Sequence, residues 1–354
     1  MKIAIITDMH LGVRGDSQVF LDHQEKFFTN TFFPYLDEHG IKIVLDLGDT
    51  FDRRKYINYV TLKRAKDFFF DQLDKRNIEY HAVVGNHSVY FTNTNEVNSM
   101  NLLLPEYRNF HVYEHEPIEL TFGSSRVMMV PWITKNNAQI CVDMMASSKA
   151  HVLMGHFEIK GFEMLKGSIC DHGMEKEAFK GFESVYSGHF HHPSEYDNIR
   201  YLGAPYEMTW SDYAGKRGFH IFDSETRDIE FIANPYRVFH KIEYDDSDMT
   251  IEDIAAIESD VLKDTYIKVI IKNRSNHYLY DLFLNKLSDS GATDVKSIED
   301  SLNLESSGVE EILDETKDTK EILHNYIDSI ETAIDKKKVK VIIDDLYLEA
   351  SSIQ

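Results

Sequence analysis

Lys2-Ile3-Ala4-Ile5-Ile6-Thr7-Asp8-Met9-His10 is an apolar run that stops on an aspartate and a histidine two residues apart. The same event recurs twice: residues 41–47, mostly apolar, run into Gly48-Asp49, and residues 80–84 run into Gly85-Asn86-His87. Between these runs lie stretches of helical periodicity. Residues 18–39 carry Phe20, Phe27, Phe28 and Phe32 on one side and end at Gly40, and residues 59–76 carry Val60, Leu62, Phe68, Phe69 and Leu73. Short apolar runs alternating with amphipathic helices read as parallel strands covered by helices, an α/β fold.

Working outward, strands are predicted at 126–130, 150–154, 184–186 and 219–222. Two of them also end on ligand types, Gly155-His156 and Gly188-His189-Phe190-His191. In a parallel sheet the strand C-termini gather on one edge, so all five loops are expected to converge there. Aspartate, asparagine and neutral imidazole suit divalent manganese, iron or zinc. The glycines before Asp49, Asn86, His156 and His189 fit sharp turns and close approach of backbone to an ion. The set offers enough donors for two ions, and two ions about 3.5–4 Å apart stabilise the attacking and leaving oxygens of a phosphoryl displacement. Any one of these pieces alone is commonplace; five in order at strand ends are not. The histidines at 23, 39, 81, 111, 115 and 151 lack this context and read as surface or packed residues. His172 and His192 flank the site loops.

Past Asn234-Pro235 the pattern changes. Strands at 238–243, 266–271 and 294–298 with helices at 251–262 and 278–290 indicate a small α/β unit. In the last fifty residues Ile322, Leu323, Tyr326, Ile327, Ile330 and Ile334 recur at helical spacing before a lysine-rich run at 336–340. The expected division is therefore 1–235, 236–300 and 301–354.

Charge and composition limit the function. The chain of 354 residues carries a formal charge of −22. Residues 1–220 hold 29 acidic and 23 basic side chains, a net of −6, and the remainder holds a net of −16. A global field of this sign opposes nucleic acid, so any such binding rests on local cations, metal ions or a partner. Two cysteines, Cys141 and Cys170, cannot build a disulfide framework, which points to a reducing cytoplasm. The N-terminal apolar run is short for a signal sequence, and no stretch approaches the ~18 apolar residues of a membrane span.

The motifs Asp8-Met9-His10, Gly48-Asp49-Thr50-Phe51-Asp52, Gly85-Asn86-His87, Gly155-His156 and Gly188-His189-Phe190-His191 resemble those of the calcineurin-like metallophosphoesterase superfamily. Within it, Val130-Pro131-Trp132, Gly155-His156-Phe157 and Tyr201-Leu202-Gly203-Ala204-Pro205 are similar to connecting motifs of the SbcD-type nucleases of bacteria and phages. The resemblance is specific over 1–220 and only architectural beyond about 235. It implies a layered β sandwich flanked by helices, a small α/β cap domain and a C-terminal helical partner-binding segment. It implies two divalent ions, manganese first and magnesium as the alternative. One would be held by Asp8, His10, Asp49 and His191. The other would be held by Asp49, Asn86, His156 and His189, with Asp49 bridging. His87 would steer the phosphate or protonate the leaving oxygen. The family usually places an acid after Gly-Asn-His; here Ser88 can accept a hydrogen bond but supplies no charge.

The resemblance further implies DNA as substrate, approached through loops that here carry Arg14, Arg53, Arg54, Lys55 and Tyr90. It also implies an SMC-like ATPase partner docking on a stripe of Ile322, Tyr326, Ile330 and Ile334, and a homodimer within that complex, with no membrane. Two other readings stay open at this point. One is a phosphomonoesterase or nucleotidase of the same superfamily, and the other is a weakly catalytic scaffold for the ATPase.

Overall fold

A computed structural model describes residues 1–165 and 168–299, together with residues 327, 336, 338–340, 342 and 343. The opening run forms the strand Lys2–Ile6. Its side chains alternate, Ile3 and Ile5 entering one core and Ala4 and Ile6 another. A strand buried on both faces has no polar side to show, which is why the run is continuously apolar.

Two six-stranded sheets pack face to face. The first runs, edge to edge, Ile229–Ala233, Gly218–Asp223, Lys2–Ile6, Ile43–Asp46, Glu79–Val83 and Phe110–Tyr113. The second runs Ser194–Tyr196, Ile199–Tyr201, Ser184–Gly188, Val152–His156, Ser125–Val130 and Ile118–Phe122. Ile3, Ile5, Leu45 and Val83 from the first meet Val127, Met129, Val152 and Met154 from the second. Outside the first sheet lies an aromatic core built by Phe27, Phe28, Phe32, Phe33, Phe69 and Phe70. Outside the second, Cys141 and Met145 of the helix Ala138–Ser147 pack on Phe157, Phe179 and Val185. The layers are thus helix, sheet, sheet, helix, the α/β sandwich expected.

The five strands that lead into the candidate ligands do not share one sheet. Lys2–Ile6, Ile43–Asp46 and Glu79–Val83 belong to the first and Val152–His156 and Ser184–Gly188 to the second. Past its first residue each of them is buried on both faces, so their apolar runs hold no information about which sheet each joins. The two sheets are stacked so that the same end of both carries the loops.

Both long helices contain a π turn, at Phe28–Phe32 and at Lys66–Phe70. The extra residue lets adjacent phenylalanines face inward together: Phe28 lies 4.6 Å from Phe69 and Phe32 lies 4.9 Å from Phe219 by ring centroids. The edge strands Phe110–Tyr113, Ile118–Phe122 and Ile229–Ala233, half exposed and mixed in polarity, carry no clear sequence signal. The helix expected over 251–262 is shorter, Ile251–Ala255, and opens on a Thr250–Asp253 capping box.

A third sheet of three parallel strands, Phe239–Asp245, Tyr266–Asn273 and Asp294–Glu299, packs its own core of Tyr244, Val269, Phe283 and Leu287. It is tied to the sandwich at its first strand. Glu207, 1% exposed, accepts the backbone N–H of Val238 (2.8 Å) and Phe239 (3.0 Å) and pairs with Arg237 at 3.0 Å. Phe20 packs on Phe239 and Tyr266. Of the C-terminal stripe, Ile327 is helical and buried; Ile322, Tyr326, Ile330 and Ile334 lie outside the described residues.

Replacing Glu207 by Ala orphans two backbone donors at this junction. Each buried orphan costs about 1–3 kcal/mol, so Glu207→Ala is expected to lower the midpoint of urea unfolding, with Glu207→Gln retaining part of the loss. An unchanged midpoint for the Ala variant would show that the junction does not depend on this carboxylate.

Candidate metal centre

The loops at the common end of the two sheets bend sharply. Asp8 (φ 52°), His10 (φ 41°), Asp49 (φ 55°) and His189 (φ 89°) all occupy the left-handed region, which costs a non-glycine residue of order 1 kcal/mol or more. The surrounding chain enforces it: Asp8 N–H donates to Gly48 O, His10 N–H to Asp49 O and Leu11 N–H to Thr50 O, each at 2.9 Å. Beneath them Asp46, fully buried, accepts from Gly48 N–H (2.9 Å), Thr50 Oγ1 (2.7 Å) and Tyr80 Oη. Burial, opposed by these three bonds, pushes its pKa up to about 7. Asp46 had no signal in the sequence beyond a carboxylate inside an apolar run.

Two glycines are there for space and not for turns. A Cβ on Gly85 would stand 2.2 Å from Asp49 Oδ1, and one on Gly188 would stand 2.0 Å from Thr7 Oγ1. Neither has a positive φ, and Gly155 sits inside a strand, so the expected sharp turn is found only at Gly48.

The side chains form two clusters that meet at Asp49. In the first, Asp8, His10 and His191 bring their ligand atoms together; in the second, Asp49, His156 and His189 do so. Asn86 Oδ1 lies 2.8 Å from His156 Nε2 and 3.0 Å from His189 Nδ1, completing the second. Asp49 Oδ2 stands 3.1 Å from His156 Nε2 and 3.8 Å from His10 Nε2, so one carboxylate faces both sets. Asp49 Oδ1 is fixed by the His87 N–H at 2.8 Å, and Asp8 is fixed by Thr7 Oγ1 and His189 N–H.

Burial opposes charging of His10, but Asp52, Asp49 and Asp8 overcome it and raise its pKa to about 9. His156 likewise rises to about 9, its burial outweighed by Asp49. Burial, His10 and Arg217 hold His191 well below the usual range, so the charged His10 donates Nε2–H to neutral His191 at 3.1 Å. Asp49 is held well below the usual carboxylate range, against its burial, by His156, His87 and His10. Buried imidazoles that charge beside buried carboxylates are what an acidic pocket fitted to divalent cations does without them. The donor set, four imidazoles, two carboxylates and one amide, suits a pair of such ions.

His87 adjoins the first cluster, its ring 4.7 Å from that of His10. Its Nδ1–H donates to the backbone carbonyl of Asp52 at 2.7 Å. Burial lowers its pKa, against the pull of Asp49. Ser88 is buried with its hydroxyl unbonded, so it takes no part in orienting His87. Asp52 does this by its carbonyl while its carboxylate accepts His10 Nδ1–H at 3.1 Å. It is the last residue of the Gly48–Asp52 motif, and that position was the available signal. Sequence reading also passed over Arg217, buried against Asp212 at 2.7 Å and donating to His191 O, which anchors the last ligand loop.

The residues expected at DNA sort differently. Arg53, Arg54, Lys55 and Tyr90 line one cleft beside the clusters with Tyr56 and Leu102. Arg53 pairs with Asp16 at 3.4 Å and lies over the Tyr56 ring, and Lys55 lies 6.0 Å from the Tyr90 ring. Arg14 is committed by its Nε to Met208 O at 2.8 Å. Among the remaining histidines, His172 Nε2 meets Glu158 at 3.2 Å and His192 Nε2 meets Asp212 at 3.6 Å, one residue removed from the clusters.

Residues 1–271 match the calcineurin-like phosphoesterase family. The chain is 31% identical to exonuclease subunit 1 of Enterobacteria phage T4, over 99% of this chain and 100% of that protein. It is 22% identical to the SbcD component of the SbcCD nuclease from Staphylococcus epidermidis, over 80% of this chain and 79% of that one. Among solved structures, an archaeal phosphodiesterase aligns with 66% of this chain and 99% of its own at 15% identity, with a TM-score of 0.34.

Ligation requires neutral imidazole, whereas His10 and His156 hold protons up to about pH 9 in the metal-free protein. Loading Mn²⁺ at pH 7 is therefore expected to release close to two protons per chain. Affinity should climb with pH and level off above about 9. Calorimetry in two buffers of different ionisation enthalpy measures the release; uptake without proton release would remove the charged histidines from the site.

Proposed function

The chain belongs to the calcineurin-like phosphoesterase family, and from that premise we propose that it is a metal-dependent DNA nuclease, both exo- and endonucleolytic, the nuclease subunit of a complex with an SMC-like ATPase. The observation that carries this reading is one carboxylate, Asp49, facing two histidine clusters beside a cleft of cations and aromatics. The nuclease names of relatives that align along most of the chain favour DNA over a small phosphomonoester. The ligand assignment is Asp8, His10, Asp49 and His191 for one ion and Asp49, Asn86, His156 and His189 for the other. Manganese is the first choice and magnesium the second.

When bound, two such ions polarise the phosphodiester and bring a water to nucleophilic form near neutral pH. The chain's own residues do the rest. The Asp52 carbonyl keeps the His87 proton on Nδ1 and leaves Nε2 for the substrate side. An arriving phosphate adds negative charge that favours the doubly protonated ring, and Nε2–H then supplies the leaving oxygen. Lys55 and Tyr90, exposed at the cleft, offer a phosphate contact and a stacking face. Local cations of this kind let a chain of charge −22 hold an anion at one place.

The division into a nuclease domain (1–235), a cap (236–300) and an ATPase-binding segment (301–354) is part of the proposal. Its support is the concentration of acidic charge after residue 220, which suits a protein partner better than a phosphate backbone. Pairing of two nuclease subunits draws on Tyr59, 85% exposed, and Leu102, 66% exposed, apolar side chains on the helices Tyr59–Ala65 and Ser99–Leu103.

With His87 near the leaving group and outside both ligand sets, His87→Ala is expected to cut turnover by roughly 10²–10⁴ while Mn²⁺ and DNA binding persist. A fall in metal stoichiometry would reassign His87 as a ligand. Truncation before Ser301 should keep hydrolysis of a small phosphodiester and abolish co-purification with the ATPase. Co-purification that survives truncation would move the partner site to the nuclease or cap domain. Assay of nuclease and phosphomonoester substrates with the full chain separates the DNA reading from a nucleotidase.

A further inference from the structure

We propose that Glu79, His81 and His111 form an additional divalent-metal site, of zinc type, at the end of the first sheet away from Asp49. Glu79 and His81 lie on the strand Glu79–Val83, and His111 and Tyr113 lie on its parallel neighbour Phe110–Tyr113. The register pairs His81 with His111 and Val83 with Tyr113. Side chains two apart share a face, so all four of Glu79, His81, His111 and Tyr113 project from the same side of the sheet. The chain enters this strand at Glu79 and leaves it toward Asn86 and His87. The four steps from Glu79 to Val83 alone amount to about 13 Å at roughly 3.3 Å per residue, which keeps this cluster apart from the metal centre.

The donor geometry fits a tetrahedral ion. His81 Nε2 and His111 Nε2 each stand 3.4 Å from Glu79 Oε1, and the three ligand atoms lie within 4.8 Å of one another. Ligands at about 2.0–2.1 Å from a tetrahedral zinc are themselves separated by about 3.4 Å. The two imidazoles stack with centroids 4.8 Å apart and planes 24° apart, presenting their Nε2 edges to the same carboxylate.

The protein leaves one of these nitrogens in an otherwise costly position. His81 is 5% exposed, and its Nε2 is buried without a hydrogen bond. Its Nδ1 meets Tyr113 Oη at 2.7 Å. The tyrosine hydroxyl can accept from Nδ1–H, and in that tautomer the Nε2 lone pair faces the Glu79 carboxylate 3.4 Å away, the arrangement in which both would ligate one cation. The hydroxyl occupies the place of the outer hydrogen-bond partner that holds the ring orientation of a ligating histidine. Nearby cations are directed elsewhere: Lys42 Nζ donates to Arg76 O at 3.1 Å, and the Arg76 Nε donates to Asp37 at 3.1 Å. Glu79 and His111 open onto a surface cleft with Lys42 and Asn109, which gives the ion an entry path and a water for its fourth position. An ion here bridges the edge strand Phe110–Tyr113 to its neighbour, so its role is to clamp the sheet edge.

The test uses the full chain stripped of metal and titrated with Zn²⁺ alone. His111 is 43% exposed in its side chain at the sheet edge, so His111→Ala is expected to fold, and Glu79→Gln preserves shape while removing the charge. After desalting, the parent chain should retain one zinc equivalent more than either variant, by elemental analysis. The zinc-induced rise in melting temperature should be smaller in both variants. Manganese-dependent hydrolysis should stay within about twofold of the parent. An equal zinc count in parent and variants overturns the proposal, as does an equal zinc-induced rise in melting temperature.

Discussion

One carboxylate organises the catalytic end of this molecule. Asp49 Oδ1 takes the His87 N–H while Oδ2 faces His156 and, further off, His10. To sit there the residue adopts a left-handed backbone, and Gly85 must lack a Cβ because that atom would fall on the carboxylate. The first sheet supplies Asp49 and the second supplies His156, so the carboxylate also marks the seam between sheets. The packed interior of Ile3, Ile5, Leu45, Val152 and Met154 sets their spacing. A close-packed core transmits small displacements, so the separation of the two histidine sets depends on side chains that touch neither.

Strain and charge at the site offset one another. Four site residues lie in an unfavourable backbone region, and several buried carboxylates and imidazoles face each other. Arrangements of this kind persist only where surrounding bonds over-determine them. Asp46 does so under the Gly48–Thr50 turn, and the Arg217–Asp212 pair does so behind His191. The aromatic core reaches the same loops, since Tyr206 lies against Phe27 and donates its hydroxyl to Met9 O. Stability and site geometry are therefore not separable at this end.

The sequence made the ligand-bearing loops legible because strands buried on both faces are continuous apolar runs, and a run ending on Asp-x-His or Gly-Asp has a visible punctuation. The same property hid the partition of those strands between two sheets. Edge strands such as Phe110–Tyr113 and Ile229–Ala233 are half exposed and mix polar with apolar residues, so their period was obscured. The two long helices of the first half were legible in extent but not in form, since the π turns follow from tertiary packing of neighbouring phenylalanines and leave no local pattern. Supporting groups were the least visible. Asp52, Asp46 and Arg217 act through contacts 35 residues away, 34 residues away and 26 residues away, to His87, Tyr80 and His191. No spacing rule reaches those distant partners.

The serine at position 88 illustrates how a site can depart from its family's pattern and keep its logic. A side-chain acid beside His87 would orient the ring and favour its charged form. Here the orientation comes from a main-chain carbonyl, that of Asp52, held in place because the same residue's carboxylate is engaged by His10. A carbonyl directs the Nδ1 proton as well as a carboxylate does but adds no full charge, so the ring stays easier to deprotonate. Its charged form then depends more on Asp49 and on the anionic substrate itself. In the role proposed for His87, proton donation would in this way be coupled to the arrival of phosphate, tying the acid step to an occupied site.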